Sequence, residues 1–351
     1  MKYPAVLSFD AILPDLHNFD AIIDARSESE FALDHLPGAI NCPVLNDAER
    51  ILVGTTYKQI NAFEAKKIGA PLVAHNIARA IETLWQDKSR DWRPLVYCWR
   101  GGNRSGSLVH ILAKIGWPVI QLDGGYKAYR AHVSAALAAP PALDWRVICG
   151  TTGSGKSRLL ETLAAIGAQV LDLEQLAAHR GSVLGSLPSE AQPSQKMFES
   201  RIWAKLRSFD PALPVFVESE SKKVGNLRVP DEVMVAMRAS PCISLSLSRQ
   251  DRVRLLTQDY SHFVREPAAL NAQLEHLVLL HGRAKIADWH ALANAGDMAT
   301  LVDALLVEHY DPAYLKSIDR NFAQFKDAQV LELRDIGEAD FMAAARALHP
   351  G

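Results

Sequence analysis

The chain contains few cysteines and no long apolar run, and each of these features excludes some classes of protein. Its 351 residues include four cysteines, which lie far apart and form no C-x-x-C pair: Cys42, Cys98, Cys149 and Cys242. This spacing argues against a zinc site and against a disulfide framework. No stretch of about 18 apolar residues is present, and the N-terminal segment lacks the pattern of a signal peptide. We therefore expect a cytoplasmic protein that does not enter the membrane.

A strong excess of charge is also missing. The formal net charge is −2, and neither side of Pro140 is broadly basic, since 15 basic and 14 acidic residues precede it and 23 and 26 follow it. A nucleic acid needs its phosphates neutralised by lysine or arginine. If the protein binds one, it must use a local patch. The sequence has no internal repeat and no low-complexity tract.

Two blocks of alternating strands and helices are present instead. Residues 138–143 separate the blocks, because Pro140 and Pro141 prevent a helix from continuing. We predict a first domain over 1–137, this linker, and a second domain over 144–351. The alternation is typical of an α/β fold with parallel sheets covered on both faces. From about residue 251 onward the sequence predicts mainly helix, with loops near Glu266–Pro267 and Asp311–Pro312.

The first domain carries a cysteine in an anion-binding loop. Cys98 follows an apolar strand, and residues 98–105 have the pattern C-x-x-G-G-x-R-S and open a predicted helix. The glycines let backbone N–H groups converge, and the helix N-terminus adds partial positive charge. We predict that Cys98 reacts as a thiolate, with Arg100 and Arg104 as supporting cations. The alternative is a small apolar residue that ends a strand.

The second domain carries a phosphate-binding loop that fits G-x-x-x-x-G-K-S between a predicted strand and a predicted helix. Backbone amides of such a loop surround phosphates, the lysine contacts their outer oxygens, and the serine can ligate Mg²⁺. The predicted phosphate-binding residues are Gly150, Thr151, Thr152, Gly153, Ser154, Gly155, Lys156 and Ser157. No base-recognition motif accompanies the loop, so the sequence leaves ATP binding open.

Further polar candidates lie in the second domain. Four carboxylates follow apolar strands, where they can hold a metal or its water shell or simply be solvated: Asp172, Glu174, Glu218 and Glu220. A basic segment is a candidate contact for phosphate or an RNA backbone through His179, Arg180 and Ser182, or else a helix C-cap with Gly181 at C′. Arg249, Arg252 and Arg254 are a candidate basic patch or a solvated helix face.

The first domain resembles the rhodanese family. Residues 24–31 read D-A-R-S-E-S-E-F and residues 35–43 read H-L-P-G-A-I-N-C-P, and both are similar to that family's signature. Asp24 and Arg26 in this signature can also serve the fold alone. The spacing from Cys98 to Arg104 is one residue longer than in the common rhodanese loop and is shared by related phosphatases. A sulfurtransferase or cysteine phosphatase therefore explains the first domain alone, and a kinase or ATPase the second alone.

The chain as a whole resembles the tRNA 2-selenouridine synthase family, in which a rhodanese domain precedes a P-loop domain. Besides both loops, the similarity includes segments spread over most of the chain: 49–50, 53–58, 124–127, 172–174, 179–182, 192–195 with 198–199, 218–221 and 308–312. The resemblance implies conversion of 2-thiouridine at the tRNA wobble position to 2-selenouridine. It implies selenophosphate as selenium donor, geranyl diphosphate for an S-geranyl intermediate, the thiolated anticodon as partner, and an enzyme that supplies selenophosphate.

The resemblance also suggests a role for each loop. Residues 150–157 would hold the diphosphate of the prenyl donor, with Mg²⁺ on Ser157. Cys98 would serve the selenium step, either by taking selenium as a selenosulfide or by attacking a selenophosphate adduct. Tyr57, Trp99 and Tyr126 are candidates for stacking the wobble base, with core packing as the alternative. The sequence identifies neither a prenyl pocket nor the oligomeric state.

Overall fold

The computed structural model describes residues 4–182, 185, 190–261 and 266–350. They form two compact units, one of residues up to Ala136 together with 199–201, and one of the remaining residues. The predicted α/β class is confirmed in both units. In the described part of the chain, no helix is long and apolar enough to span a membrane.

The first unit is built around a five-stranded parallel sheet. Its strands are β1 (Ala5–Leu7), β2 (Ala21–Asp24), β3 (Ala39–Asn41), β4 (Pro94–Tyr97) and β5 (Ile120–Leu122). They pair in the order β1-β5-β4-β2-β3, which places β4 in the middle. All of β4 is buried, because a central strand of a covered parallel sheet is packed on both faces.

Helices of the first unit alternate with these strands. They are α1 (Phe9–Ile12), α2 (Glu28–Leu33), α3 (Asp47–Gln59), α4 (Ala62–Ala80), α5 (Asn103–Ile115) and α6 (Gly125–Ala138). The apolar stripe of α5 buries Leu108 and Leu112 against Val96 of β4, and Ile77 of α4 joins the same core. This packing fixes the start of α5 next to the end of β4. Helix α6 runs one residue into the predicted linker, through Ala138.

The second unit also has a five-stranded parallel sheet. Its strands are β6 (Asp144–Cys149), β7 (Gln169–Leu171), β8 (Pro214–Glu218), β11 (Cys242–Ser246) and β12 (Gln329–Glu332), and the short strands β9 (Lys223–Val224) and β10 (Leu227–Arg228) form a separate hairpin. The order is β12-β11-β6-β8-β7, so β6 is central.

Helices make up most of the remainder of the second unit. They are α7 (Lys156–Ala165), α8 (Leu173–Ala177), α9 (Gln195–Arg207), α10 (Asp231–Arg238), α11 (Arg249–Asp259), α12 (Pro267–Leu274), α13 (Val278–Asn294), α14 (Met298–Leu305), α15 (Asp311–Asn321) and α16 (Glu338–Leu348). A π-helical turn, Leu306–Tyr310, joins α14 to α15. One apolar cluster lies under α7 and α16, and another lies among α12, α13 and α14.

Two details of the C-terminal region differ from the sequence prediction. Strand β12 was missed, because it is four residues long, mostly exposed, and defined by its pairing with β11 at the sheet edge. The predicted loop near Asp311–Pro312 is wrong, since α15 begins there. Pro312 occupies the first helical turn, where its missing N–H would have no helical partner in any case.

Candidate active sites

The cysteine loop begins where the central strand of the first sheet ends. Cys98 follows β4 and is buried, and α5 begins five residues later. The Ser105 hydroxyl donates a hydrogen bond to Cys98 Sγ at 3.3 Å, and Gln121 Nε2 donates to the Ser105 oxygen at 3.1 Å. A hydroxyl donor aimed at sulfur stabilises a thiolate more than a thiol. The arrangement therefore favours the reactive interpretation of Cys98.

The start of α6 closes the cysteine loop from the other side. The backbone N–H of Tyr126 donates to Cys98 O at 2.8 Å, and that of Lys127 donates to Trp99 O at 3.1 Å. Gly125 has φ +55°, and a Cβ atom there would collide with the Cys98 carbonyl oxygen. Only glycine combines this φ with such a close approach. Gly125 thus shapes the loop although it lies 27 residues after Cys98.

Arg104 is paired with a carboxylate rather than free to face the sulfur. Its guanidinium donates to both oxygens of Glu30, at 2.6 and 3.2 Å, and Arg50 approaches the same carboxylate at 3.0 Å. Burial alone would raise the pKa of Glu30, but the hydrogen bond and charge of Arg104 and the charge of Arg50 lower it. Arg100 is exposed. The two predicted supporting cations therefore have different environments.

A buried network under the loop accounts for the D-x-R part of the rhodanese-like signature. Arg26 is 1% exposed, pairs with Asp24 at 2.6 Å, and donates to Asp34 O at 2.6 Å. Its guanidinium lies 4.0 Å from the centre of the Tyr126 ring, whose hydroxyl donates to Asp34 at 2.8 Å. These residues hold the fold. Tyr126 is buried, whereas Trp99 stacks on it and remains 39% exposed.

The phosphate-binding loop follows the central strand of the second sheet, β6, and leads into α7. Lys156 Nζ donates to the loop carbonyls of Gly150 at 2.7 Å and Thr151 at 3.4 Å. The Gly150 N–H donates to Tyr314 Oη at 2.6 Å. The lysine thus holds the loop in its wound shape.

An ion pair supports the middle of this loop. Arg252 Nε donates to Thr152 O at 2.9 Å, and the same guanidinium holds Asp311 by bonds of 2.6 and 3.0 Å. Arg252 is 6% exposed. It is therefore not part of an exposed basic patch, which corrects that hypothesis, and Arg249 and Arg254 form surface ion pairs. Asp311 lies in the segment 308–312, which resembles the family's sequence. Nothing in the sequence identified Arg252 as the ion-pair partner of Asp311.

The side chains of Glu174, Glu218 and Glu220 lie close to one another beside the phosphate-binding loop. Ser157 Oγ donates to Glu174 Oε2 at 2.9 Å, and the Glu174 N–H donates to Glu218 Oε1 at 3.0 Å. The side chains of Glu174 and Glu220 hydrogen-bond each other. The second oxygen of Glu218 is buried and has no hydrogen-bond partner among the described residues. Two carboxyl groups that hydrogen-bond each other must share a proton.

Burial and crowding raise the pKa of each of these acids. Burial is the main cause for Glu218, whose pKa lies well above its ordinary value, and the charges of Asp172 and Glu174 add to it. Burial and then Glu174 raise the pKa of Glu220 to about 8, although Lys156 opposes this. The pKa values of Glu174 and Asp172 are raised too, again mainly by burial. At neutral pH the cluster therefore holds protons.

The oxygen-only donor set beside the loop suits Mg²⁺, which prefers carboxylate, hydroxyl and phosphate oxygens. Ser157 and the unpartnered oxygen of Glu218 are the protein groups that would hold it. Among the described residues, no three acidic, histidine or cysteine side chains are grouped so that they could hold a metal ion by themselves. Asp172 instead caps α8 by accepting from Gln175 N at 2.7 Å.

The basic segment, residues 179–182, contacts other residues of the second unit. His179 is buried, burial lowers its pKa, and its Nδ1 accepts from Gly181 N at 3.1 Å. Arg180 donates to Asp259 O at 2.9 Å and lies over the Tyr260 ring. The C-cap of α8 is Ala178, so the alternative with Gly181 at C′ is wrong. Ser182, half-buried, lines a pocket with Tyr260.

The fold and the two loops define a rhodanese-like domain followed by a P-loop domain. A family model described as a rhodanese-like domain matches residues 12–132, and one described as the tRNA 2-selenouridine synthase AAA domain matches residues 143–279. A solved rhodanese-related protein from Thermoplasma volcanium is 16% identical, with a TM-score of 0.25, over 37% of this chain and 93% of its own.

Curated relatives extend the similarity across both domains. The tRNA 2-selenouridine synthase of Cupriavidus necator is 32% identical over 84% of this chain and 87% of its own length. That of Nitrosomonas europaea is 37% identical over 68% of this chain, and the match spans 63% of that relative's length. This chain belongs to the tRNA 2-selenouridine synthase family.

Proposed function

We propose that this protein converts 2-thiouridine at the tRNA wobble position into 2-selenouridine through an S-geranyl intermediate. The observation that carries the proposal is the pairing of a cysteine loop and a P-loop, each after the central strand of its own parallel sheet, in a chain of this family. A sulfurtransferase or a nucleotide hydrolase needs only one of them. The substrates are thiolated tRNA, geranyl diphosphate and selenophosphate, the last from a supplying enzyme.

The P-loop serves the first step. The thiocarbonyl sulfur attacks C1 of geranyl diphosphate, the C1–O bond breaks, and diphosphate leaves with the electron pair while N3 of the base loses its proton. Lys156 and the loop amides stabilise the charge that develops on the leaving diphosphate. Ser157 would hold Mg²⁺ here, and the bound ion would supply additional Lewis-acid neutralisation. Alkylation converts the thiocarbonyl sulfur into a thioether sulfur, which can leave C2 as a thiol in the second step.

The cysteine loop serves the second step. Selenium of selenophosphate adds to C2 of the alkylated base, the C2–S bond breaks, and geranylthiol leaves with a proton. The Cys98 thiolate then attacks phosphorus of the C2–Se–P linkage, and the P–Se bond breaks with its electrons on selenium. N3 regains its proton, and water hydrolyses the cysteine S-phosphate. Release of selenium from a selenosulfide on Cys98 would need a two-electron reductant that none of the three substrates supplies, so the electron balance favours attack at phosphorus.

Nucleoside mass spectrometry tests both steps with full-length protein and thiolated tRNA. With geranyl diphosphate alone, the wild type should add one geranyl group, and Lys156→Ala should slow this by about 100-fold or more. With both donors, Cys98→Ser should lose the geranyl group and accumulate the C2–Se–P adduct without 2-selenouridine, because no thiolate is present to cleave the P–Se bond. Cys42→Ser is the matched control, because burial raises the pKa of the Cys42 thiol to about 11 and keeps it unreactive. A wild-type protein that leaves the base unchanged with both donors would overturn the proposal.

A further inference from the structure

An apolar pocket opens beside the P-loop and is not used by the chemistry of either loop. It contains about 570 Å³ of space between atoms, and this space includes open solvent at its mouth. Its walls come from α11, α12, α14 and the π-helical turn after α14. The apolar residues that form most of the wall are Leu256, Leu270, Met298, Leu301, Val302 and Leu305.

The pocket is joined to the phosphate-binding loop by two contacts. Thr152 of the loop lines the pocket directly. Leu256, another lining residue, lies so close to Gly153 that a Cβ atom there would come within 2.8 Å of it. A ligand whose phosphates occupy the loop therefore has an apolar cavity next to it. The ligand chemistry that satisfies both parts is a diphosphate with a hydrocarbon tail.

The pocket is a poor match for the base of a nucleotide, whose edges require hydrogen-bond partners. The Thr257 hydroxyl in the wall already donates to Val253 O at 2.8 Å, and the Tyr260 side chain is engaged by Ser182 and Arg180. The remaining wall is largely hydrocarbon. Burying a polar base edge against it would cost free energy, whereas burying an alkyl chain gains it.

We propose that this pocket binds the prenyl tail of the diphosphate substrate, and that Val302 and Met298 help to set the accepted chain length. The proposal rests on the proposed function for the identity of the tail. Leu301 and Leu305 line the pocket and are buried in the cluster of α12, α13 and α14. Val302 is half-buried on α14 and lines the wall, so replacing it changes the cavity with the least change to the core.

Binding measurements on the full-length protein distinguish the contribution of the prenyl tail to affinity from that of the phosphates. Calorimetry with inorganic pyrophosphate reports the loop, and the extra affinity of geranyl diphosphate over pyrophosphate reports the pocket. Val302→Trp should leave pyrophosphate binding unchanged. It should reduce the extra affinity for geranyl diphosphate at least tenfold, because apolar pockets discriminate on this scale between ligands that differ by a methylene group. Val235→Trp, on α10 at a 61% exposed position, is the matched control and should behave as the wild type.

A second variant changes the cavity in the opposite direction. Val302→Ala should shift relative affinity from geranyl toward the longer farnesyl diphosphate, and Val302→Trp toward the shorter dimethylallyl diphosphate. If the wild type and both variants show the same chain-length preference, the proposal that this pocket binds the prenyl tail is overturned. A wild type that binds geranyl diphosphate with this tail preference, yet never alkylates tRNA, would overturn the proposed function and leave the pocket supported.

Discussion

Arg104 of the cysteine loop and Glu30 of helix α2, 74 residues apart in the chain, form a two-point ion pair with its shorter bond at 2.6 Å. The pair is mostly buried, with side-chain exposures of 19% and 11%. The loop arginine is thus oriented by a carboxylate before any anion binds. An anionic substrate at Cys98 would meet an arginine whose charge is already partly balanced.

Glu30→Gln should therefore lower the free energy of unfolding at neutral pH by about 1–3 kcal/mol, because it leaves the partly buried Arg104 without its counter-charge. The folded-state pKa of Glu30 is lowered, so the stabilisation is present above the ordinary value of 4.5 and is lost as pH falls through the folded-state pKa. Urea unfolding over this range should show the variant and wild type converging at low pH.

The matched control for this pair is Glu64→Gln on α4. Glu64 forms an exposed pair with Lys67, and such pairs contribute about 0–1 kcal/mol. An equal loss of stability in both variants, or a loss for Glu30→Gln that does not diminish in acid, would contradict the assignment.

The carboxylate cluster predicts a pH dependence of the opposite sign. Burial and Glu174 raise the folded-state pKa of Glu220 to about 8 from 4.5, so the folded protein binds more protons than the unfolded chain in this window. Stability should fall as pH rises between these values. Glu220→Gln should be more stable than the wild type near the upper end, by roughly 1–3 kcal/mol.

The measurement is denaturant unfolding at a series of pH values. Glu332→Gln, a change on the edge strand β12, is a suitable control because Glu332 is exposed. A stability curve for Glu220→Gln that parallels the wild type throughout would show that Glu220 does not take up a proton on folding.

We predict that Trp99 stacks the wobble base near Cys98. It is 39% exposed, and its ring lies 5.3 Å from that of Tyr126 below it. Stacking on an exposed aromatic contributes about 1–3 kcal/mol per base. Trp99→Ala should therefore reduce kcat/KM for tRNA by about 10- to 100-fold, and Trp99→Phe should recover most of it.

Binding of geranyl diphosphate to Trp99→Ala should stay at the wild-type level, which separates base stacking from damage to the fold. Tyr57→Ala removes another exposed aromatic of the same unit and should change tRNA kinetics little. If Tyr57→Ala has the larger effect, the base stacks elsewhere.

Tyr314 positions the P-loop by accepting the Gly150 N–H at 2.6 Å. Tyr314→Phe keeps the ring beside Lys156 and removes the hydroxyl that accepts from Gly150 and also interacts with Ser219. A buried N–H without a partner costs about 1–3 kcal/mol. We expect pyrophosphate affinity, measured by calorimetry, to fall several-fold. Tyr57→Phe serves as the control, and unchanged affinity in Tyr314→Phe would exclude this role.

Local patterns in the sequence predicted both loops and the strands that carry them. The sequence predicts a strand before the phosphate-binding loop and a helix after it, and the structure has β6 and α7 at these places. This is possible because glycine-rich turns, apolar strands and helical stripes are governed by neighbours a few residues apart. Strand β12 escaped prediction because an exposed edge strand depends on its partner, β11, rather than on its own pattern.

Thus the sequence by itself determined the α/β class, the order of the two loops and the family resemblance, since these depend on residue type at fixed spacing. Only the tertiary structure decided which groups meet. It paired Arg104 with Glu30, buried Arg252 against Asp311, crowded Glu218 and Glu220 into a protonated cluster, and opened an apolar pocket beside Thr152. The physical reason is that hydrogen bonds, charge coupling and cavities depend on distances in space between residues far apart in the chain.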